Sequence, residues 1–146
     1  MHLFIDADGC PVVNIALEAA HRFGVEATLV CDSAHEFRRT DVRVIVVPKG
    51  ADSADFTLVN MIRKGDLVVT QDYGLAAMCL ARSAQALNQN GLIYTDSNID
   101  QLLLARHTAR KIRNAGGRLK GPAKRTKEQD AAFLSALERL LGQENI

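Results

Sequence analysis

Six aspartates carry most of the chemistry this sequence offers. Asp6 and Asp8 follow the short apolar run Leu3-Phe4-Ile5, and Asp52 and Asp55 follow Val42–Val47 and the turn residues Pro48 and Gly50. Asp72 follows Leu67-Val68-Val69-Thr70, and Asp96 follows Leu92-Ile93-Tyr94-Thr95. Carboxylates gathered in one place repel one another unless a positive charge neutralises them. Mg²⁺ or Mn²⁺, hard cations that prefer oxygen, do this and keep waters for a substrate to displace. Such an ion polarises a phosphoryl oxygen and activates water, and a carboxylate outside its shell can orient or deprotonate that water. The expected metal ligands are Asp6, Asp52, Asp55, Asp72 and Asp96, and the expected catalytic set is Asp6, Asp8, Asp52, Asp55 and Asp72. Taken singly, each also reads as a helix cap or turn former, and Asp96 suits the start of a helix near Ile99.

The elements that must position these residues follow from hydrophobic periodicity. Leu3–Ile5, Ala27–Cys31, Val42–Val47, Asp66–Thr70 and Gly91–Thr95 read as five buried strands. Between them, a helix opened by Pro11 and ended by Gly24, another from Ser53 to Lys64 closed by Gly65, and stretches from Leu75 to Leu87 and Ile99 to Ile112 repeat at helical spacing. Strands of continuous Val, Ile and Leu alternating with helices predict a mostly parallel sheet covered on both faces. Right-handed crossovers then carry the loops after the strands to one edge, where such sheets bind ligands. Asp66 opens its strand and falls at the opposite edge. The expected layout is an α/β domain over 1–115, a basic linker over 116–127 and a C-terminal helix over 128–142. Thr126 and Gln129 can cap that helix, and Phe133, Leu134, Leu137, Leu140 and Leu141 form its apolar face.

Several segments together resemble the bacterial YaiI/YqxD family. They are Phe4-Ile5-Asp6-Ala7-Asp8-Gly9-Cys10-Pro11-Val12, Gly50 to Phe56, Gly65 to Ala76, and Gly116 to Pro122. That family is grouped by similarity with PIN-like domains, many of which are metal-dependent nucleases. The resemblance implies a PIN-like three-layer α/β/α fold with a central, mostly parallel sheet of about five strands. It implies that Asp6 ends the first strand, that Asp52 and Asp55 are the central acidic pair, and that Asp72 is the acidic residue after the fourth strand. Where relatives often carry alanine after Asp8, this chain has Gly9, which leaves the carboxylates intact. The implied activity is cleavage of RNA or DNA, with RNA weakly preferred.

Charge agrees with a polyanionic partner. The chain has 146 residues and a net charge of +1, yet residues 1–105 hold 8 basic and 13 acidic side chains while 106–127 hold 9 basic and none acidic. Lys49, Arg118, Lys120, Lys124 and Arg125 are the expected phosphate contacts. Aromatic residues are few, and Tyr73 is the best candidate for stacking on a base. The histidines lack metal-ligand spacing. Three scattered cysteines, no secretory signal and no apolar run of about 20 residues point to a soluble cytoplasmic protein without membrane contact. Two other readings stay open. In a haloacid-dehalogenase-like phosphatase, Asp6 would be the nucleophile, Asp8 the acid/base and Lys49 a phosphate clamp, although Cys10 stands where that motif favours threonine. In a non-catalytic nucleic-acid-binding module, the pocket would be vestigial.

Overall fold

The computed structural model describes residues 1–32, 39–49, 53–114, 116 and 124–144, with the side chains of 53–54, 106–110, 112–114 and 144 left aside. Its strands are β1 (His2–Asp6), β2 (Glu26–Asp32), β3 (Arg43–Val47), β4 (Leu67–Val69), β5 (Gln85–Leu87) and β6 (Ile93–Tyr94). Its helices are α1 (Val13–Arg22), α2 (Ser53–Met61), α3 (Tyr73–Ala81), α4 (Asp96–Asn114) and α5 (Lys127–Leu141). They form a three-layer α/β/α sandwich around one sheet of order β3-β2-β1-β4-β5-β6. All pairings are parallel except β5 with β6.

Alternation along the strands builds two cores. Leu3, Ile5, Leu29, Cys31, Leu67 and Val69 face α1 and α5, while Phe4, Val30 and Val68 face α2, α3 and α4. Asp6, two residues beyond Phe4, therefore belongs to the second face. No helix among the described residues is long and apolar enough to cross a membrane.

Two expectations are corrected. The sheet has six strands, because the alanine-rich stretch is not one helix from Leu75 to Leu87. It stops at Ala81 in a Schellman-type turn, in which Ser83 N–H donates to Leu80 O and Ala84 N–H to Cys79 O. Ser83 takes φ 63°, a left-handed conformation usually left to glycine, and so gives no sequence signal. The chain then enters β5. The last strand also runs against its neighbour, so residues after Tyr94 leave by the amino edge of the parallel strands.

The C-terminal helix closes the first core. Phe133, Leu137, Leu140 and Leu141 are buried against it, and Thr126 and Gln129 form a reciprocal capping box. Most of the expected linker, residues 117–123, lies outside the described residues.

Candidate functional site

In open α/β sheets ligands gather where the strand order reverses, outside the carboxyl ends of the strands. Here the order reverses between β1 and β4. A cleft of about 480 Å³ opens at that point, lined by Asp6, Asp8, Gly9, Gln71, Asp72 and Tyr73. The aspartates after strands one and four, 66 residues apart in sequence, thus line one cleft. A wider groove of about 980 Å³ borders the amino ends of β1, β2 and β3, and none of the candidate aspartates among the described residues lines it.

Hydrogen bonds fix the cleft aspartates. Thr70 Oγ1 donates to Asp6 Oδ2 at 2.8 Å and accepts Asp72 N–H at 3.0 Å. Asp72 is the N-cap of α3, its Oδ1 accepting the N–H groups of Gly74 and Leu75 at 2.9 and 3.2 Å. Its role as a cap and its place in the cleft coexist. Asp8 Oδ2 accepts Asp32 N–H at 2.9 Å and braces the β1 loop against β2. Gln71 Nε2 spans the cleft to donate to Gly9 O at 2.9 Å.

Burial pushes the Asp6 carboxyl up to about 6. The Thr70 hydroxyl opposes this, and the negative charges of Asp8 and Asp72 add to it. Asp55, in the first turn of α2, is partly buried on the same side of the sheet. Burial pushes the Cys79 thiol up to about 12, and Asp55 and Asp6 both add to that rise. Asp55 is not among the described residues that line the cleft, and Asp52 lies outside the described residues. Among the described residues, no three His, Cys, Asp or Glu side chains stand close enough to hold a metal ion. A two-carboxylate arrangement still suits Mg²⁺ or Mn²⁺, since Mg²⁺ usually keeps several waters and takes only one or two carboxylates.

Asp96 must be removed from the set. Because β6 is antiparallel, Asp96 emerges at the far edge of the sheet, in the first turn of α4. The cap there is supplied by Thr95 and Asn98, which exchange hydrogen bonds at 3.1 and 2.9 Å. Sequence reasoning missed Thr70 and Tyr94. Thr70 is a polar residue ending an apolar strand two positions before Asp72, which is a usable signal. Tyr94 gives none, since only the sheet order brings it to β4.

Among the expected phosphate contacts, Lys49 and Lys124 are exposed, while Arg118 and Lys120 lie outside the described residues. Arg125 is engaged inside the protein. Nε donates to Asp130 Oδ1 and Nη1 to Asn90 Oδ1, both at 2.7 Å, and Nη2 to Gln89 O. This clamp ties the start of α5 to the loop after β5. Arg125→Ala is expected to lower stability by about 1–2 kcal/mol, more than an exposed ion pair would give, because three donors are lost together. Urea denaturation checks this, and an unchanged midpoint would refute the clamp.

Residues 4–143 match the family described as "Uncharacterized BCR, YaiI/YqxD family". The chain belongs to the YaiI/YqxD family. Among its relatives, a UPF0178 protein of Exiguobacterium sibiricum is 52% identical over 141 residues, spanning 97% of this chain and 96% of the relative. One from Ruminiclostridium cellulolyticum is 50% identical over 137 residues, spanning 94% and 90%. Among solved structures, Rae1 (YacP) from Bacillus subtilis covers 99% of both chains at 14% identity with a TM-score of 0.44, a likeness too distant to bear on function.

Proposed function

We propose that this YaiI/YqxD protein is a PIN-like, Mg²⁺- or Mn²⁺-dependent nuclease that hydrolyses phosphodiester bonds, with RNA ahead of DNA. One observation carries the reading. Asp6 and Asp72 line one cleft at the switch point of the sheet, and there burial and neighbouring carboxylates hold Asp6 up to about 6. A site that penalises its own negative charge in this way gains from a cation. Asp6 and Asp72 would hold the ion, with Asp52 proposed as a further ligand and Asp55, in the first turn of α2, adding negative charge nearby. The ion would supply charge stabilisation at the phosphoryl oxygens and an acidified water. Tyr73 on the rim offers a ring to a nucleobase, and Lys49, Arg118, Lys120 and Lys124 offer cations to the backbone.

The test incubates labelled RNA and DNA oligonucleotides with Mn²⁺ and purified protein, beside the Asp72→Asn variant. Asparagine keeps the helix cap and removes the charge. Cleavage is expected in the wild type alone, to stop on chelation, and to fall by more than about 10-fold in the variant. Equal cleavage by both preparations would overturn the reading, because the activity would then come from a contaminant.

A further inference from the structure

We infer that Thr70 and Tyr94 are positioning residues for the proposed cation site, Thr70 by joining Asp6 to Asp72 through one buried hydroxyl and Tyr94 by fixing Thr70 in turn. The inference rests on the nuclease reading and adds residues to it that ligate nothing themselves.

The direction of each hydrogen bond is forced. A hydroxyl carries one proton and two lone pairs. Asp72 N–H can only donate, so Thr70 Oγ1 accepts it, and a carboxylate can only accept, so the Thr70 proton goes to Asp6 Oδ2. One oxygen atom therefore sets the rotation of the Asp6 carboxyl and the backbone position of Asp72. Thr70 is 1% exposed, so water cannot replace that hydroxyl.

Thr70 lies one residue beyond the last ladder pair of β4, Val69 with Leu87. Its two backbone groups are nevertheless tied down. Its N–H donates to Leu87 O at 3.1 Å, and its carbonyl accepts the Tyr94 hydroxyl at 2.9 Å. Tyr94 reaches across from the antiparallel strand and is 2% exposed. Its ring also meets Tyr73 edge-on, with centroids 6.0 Å apart and planes at 67°. Tyr94 thus supports both the strand end that carries Thr70 and the aromatic wall of the cleft. Groups that orient metal ligands without touching the ion commonly change affinity or activity by about 10–100-fold when removed.

A purely local role for Thr70, closing the turn into α3, would cost stability and nothing else. Thr70→Val, which keeps the shape, and Thr70→Ser, which keeps the hydroxyl, separate the two roles, with Tyr94→Phe as an independent probe if the valine variant folds poorly. Calorimetric Mn²⁺ titration is read beside cleavage rates and urea midpoints. Thr70→Val is expected to weaken Mn²⁺ binding and kcat by about 10–100-fold with little change in KM, Tyr94→Phe by about 10-fold, and Thr70→Ser by no more than about threefold. Wild-type protein that binds Mn²⁺ without cleaving would overturn the nuclease reading, while weaker binding by Thr70→Val would still support the positioning role. Equal Mn²⁺ affinity in wild type, Thr70→Val and Tyr94→Phe would overturn that role, as would the absence of Mn²⁺ uptake by the wild type.

Discussion

Asp6→Asn is expected to lower metal-dependent cleavage by about 100- to 1,000-fold and, in the same molecule, to stabilise the ion-free protein at neutral pH. The two effects share a cause. The Asp6 carboxyl is raised from 3.8 to about 6, first by burial and then by Asp8 and Asp72, so folding penalises its ionised form relative to the unfolded chain. A carboxyl raised in this way contributes stability below its unfolded value, near pH 4, and that contribution is lost as pH rises through about 6. Above pH 6 the wild type carries the full penalty, on the order of 2 kcal/mol after allowance for the partial exposure of Asp6. Asparagine keeps the shape and an oxygen to accept from Thr70, and it never ionises. Urea midpoints should therefore favour the variant at pH 7.5 and converge with the wild type near pH 4. Adding Mn²⁺ should stabilise the wild type, by mass action on the folded state, and leave the variant unmoved. A variant that is less stable at pH 7.5, with an undiminished response to Mn²⁺, would remove Asp6 from the site.

The second large effect is expected at Gly91. Its φ of +86° is strained for a side-chain-bearing residue, and a Cβ there would lie 2.5 Å from Ala132 O and 2.8 Å from Ala132 C. Those atoms are backbone in the middle of α5, so relief requires moving the helix away from the loop that Arg125 holds to it. Gly91→Ala should cost about 3 kcal/mol, roughly 1 from the left-handed conformation and the rest from overpacking. Gly9→Ala separates the two contributions. Gly9 also has positive φ, +69°, but nothing stands within 4 Å of its would-be Cβ, so about 1 kcal/mol is expected. Chemical denaturation of both variants measures the difference. Equal losses would mean that α5 does not press on this loop.

Much of this arrangement was legible because local rules act over a few residues. The helix end at Gly24 could be read, since a left-handed residue closes α1 and glycine is the usual one. The same geometry at Ser83 gives no such signal, and so β5 reads as the end of a helix in the sequence. Thr126 and Gln129 announced the capping box of α5, because both partners lie within one turn of chain. Its apolar face required a surface to cover it, but only the packed structure identifies that surface as the core beneath α1.

The candidate site divides in the same way. Apolar runs ending in aspartate, alternating with helices, were enough to send Asp6 and Asp72 to one edge, because parallel crossovers leave the strand ends little choice. Asp96 has the same local appearance, yet the antiparallel pairing of β6 with β5 takes it to the other edge. The connection 88–92 is too short for a parallel crossover, so the direction of β6 follows once β5 is recognised, and it is the hidden helix end at Ser83 that conceals β5. The sequence by itself therefore determined the elements, their alternation and the principal carboxylates. Tertiary structure alone decided the reach of Tyr94 to Thr70 and the burial that raises Asp6, since each depends on chain segments that meet only after the sheet has formed.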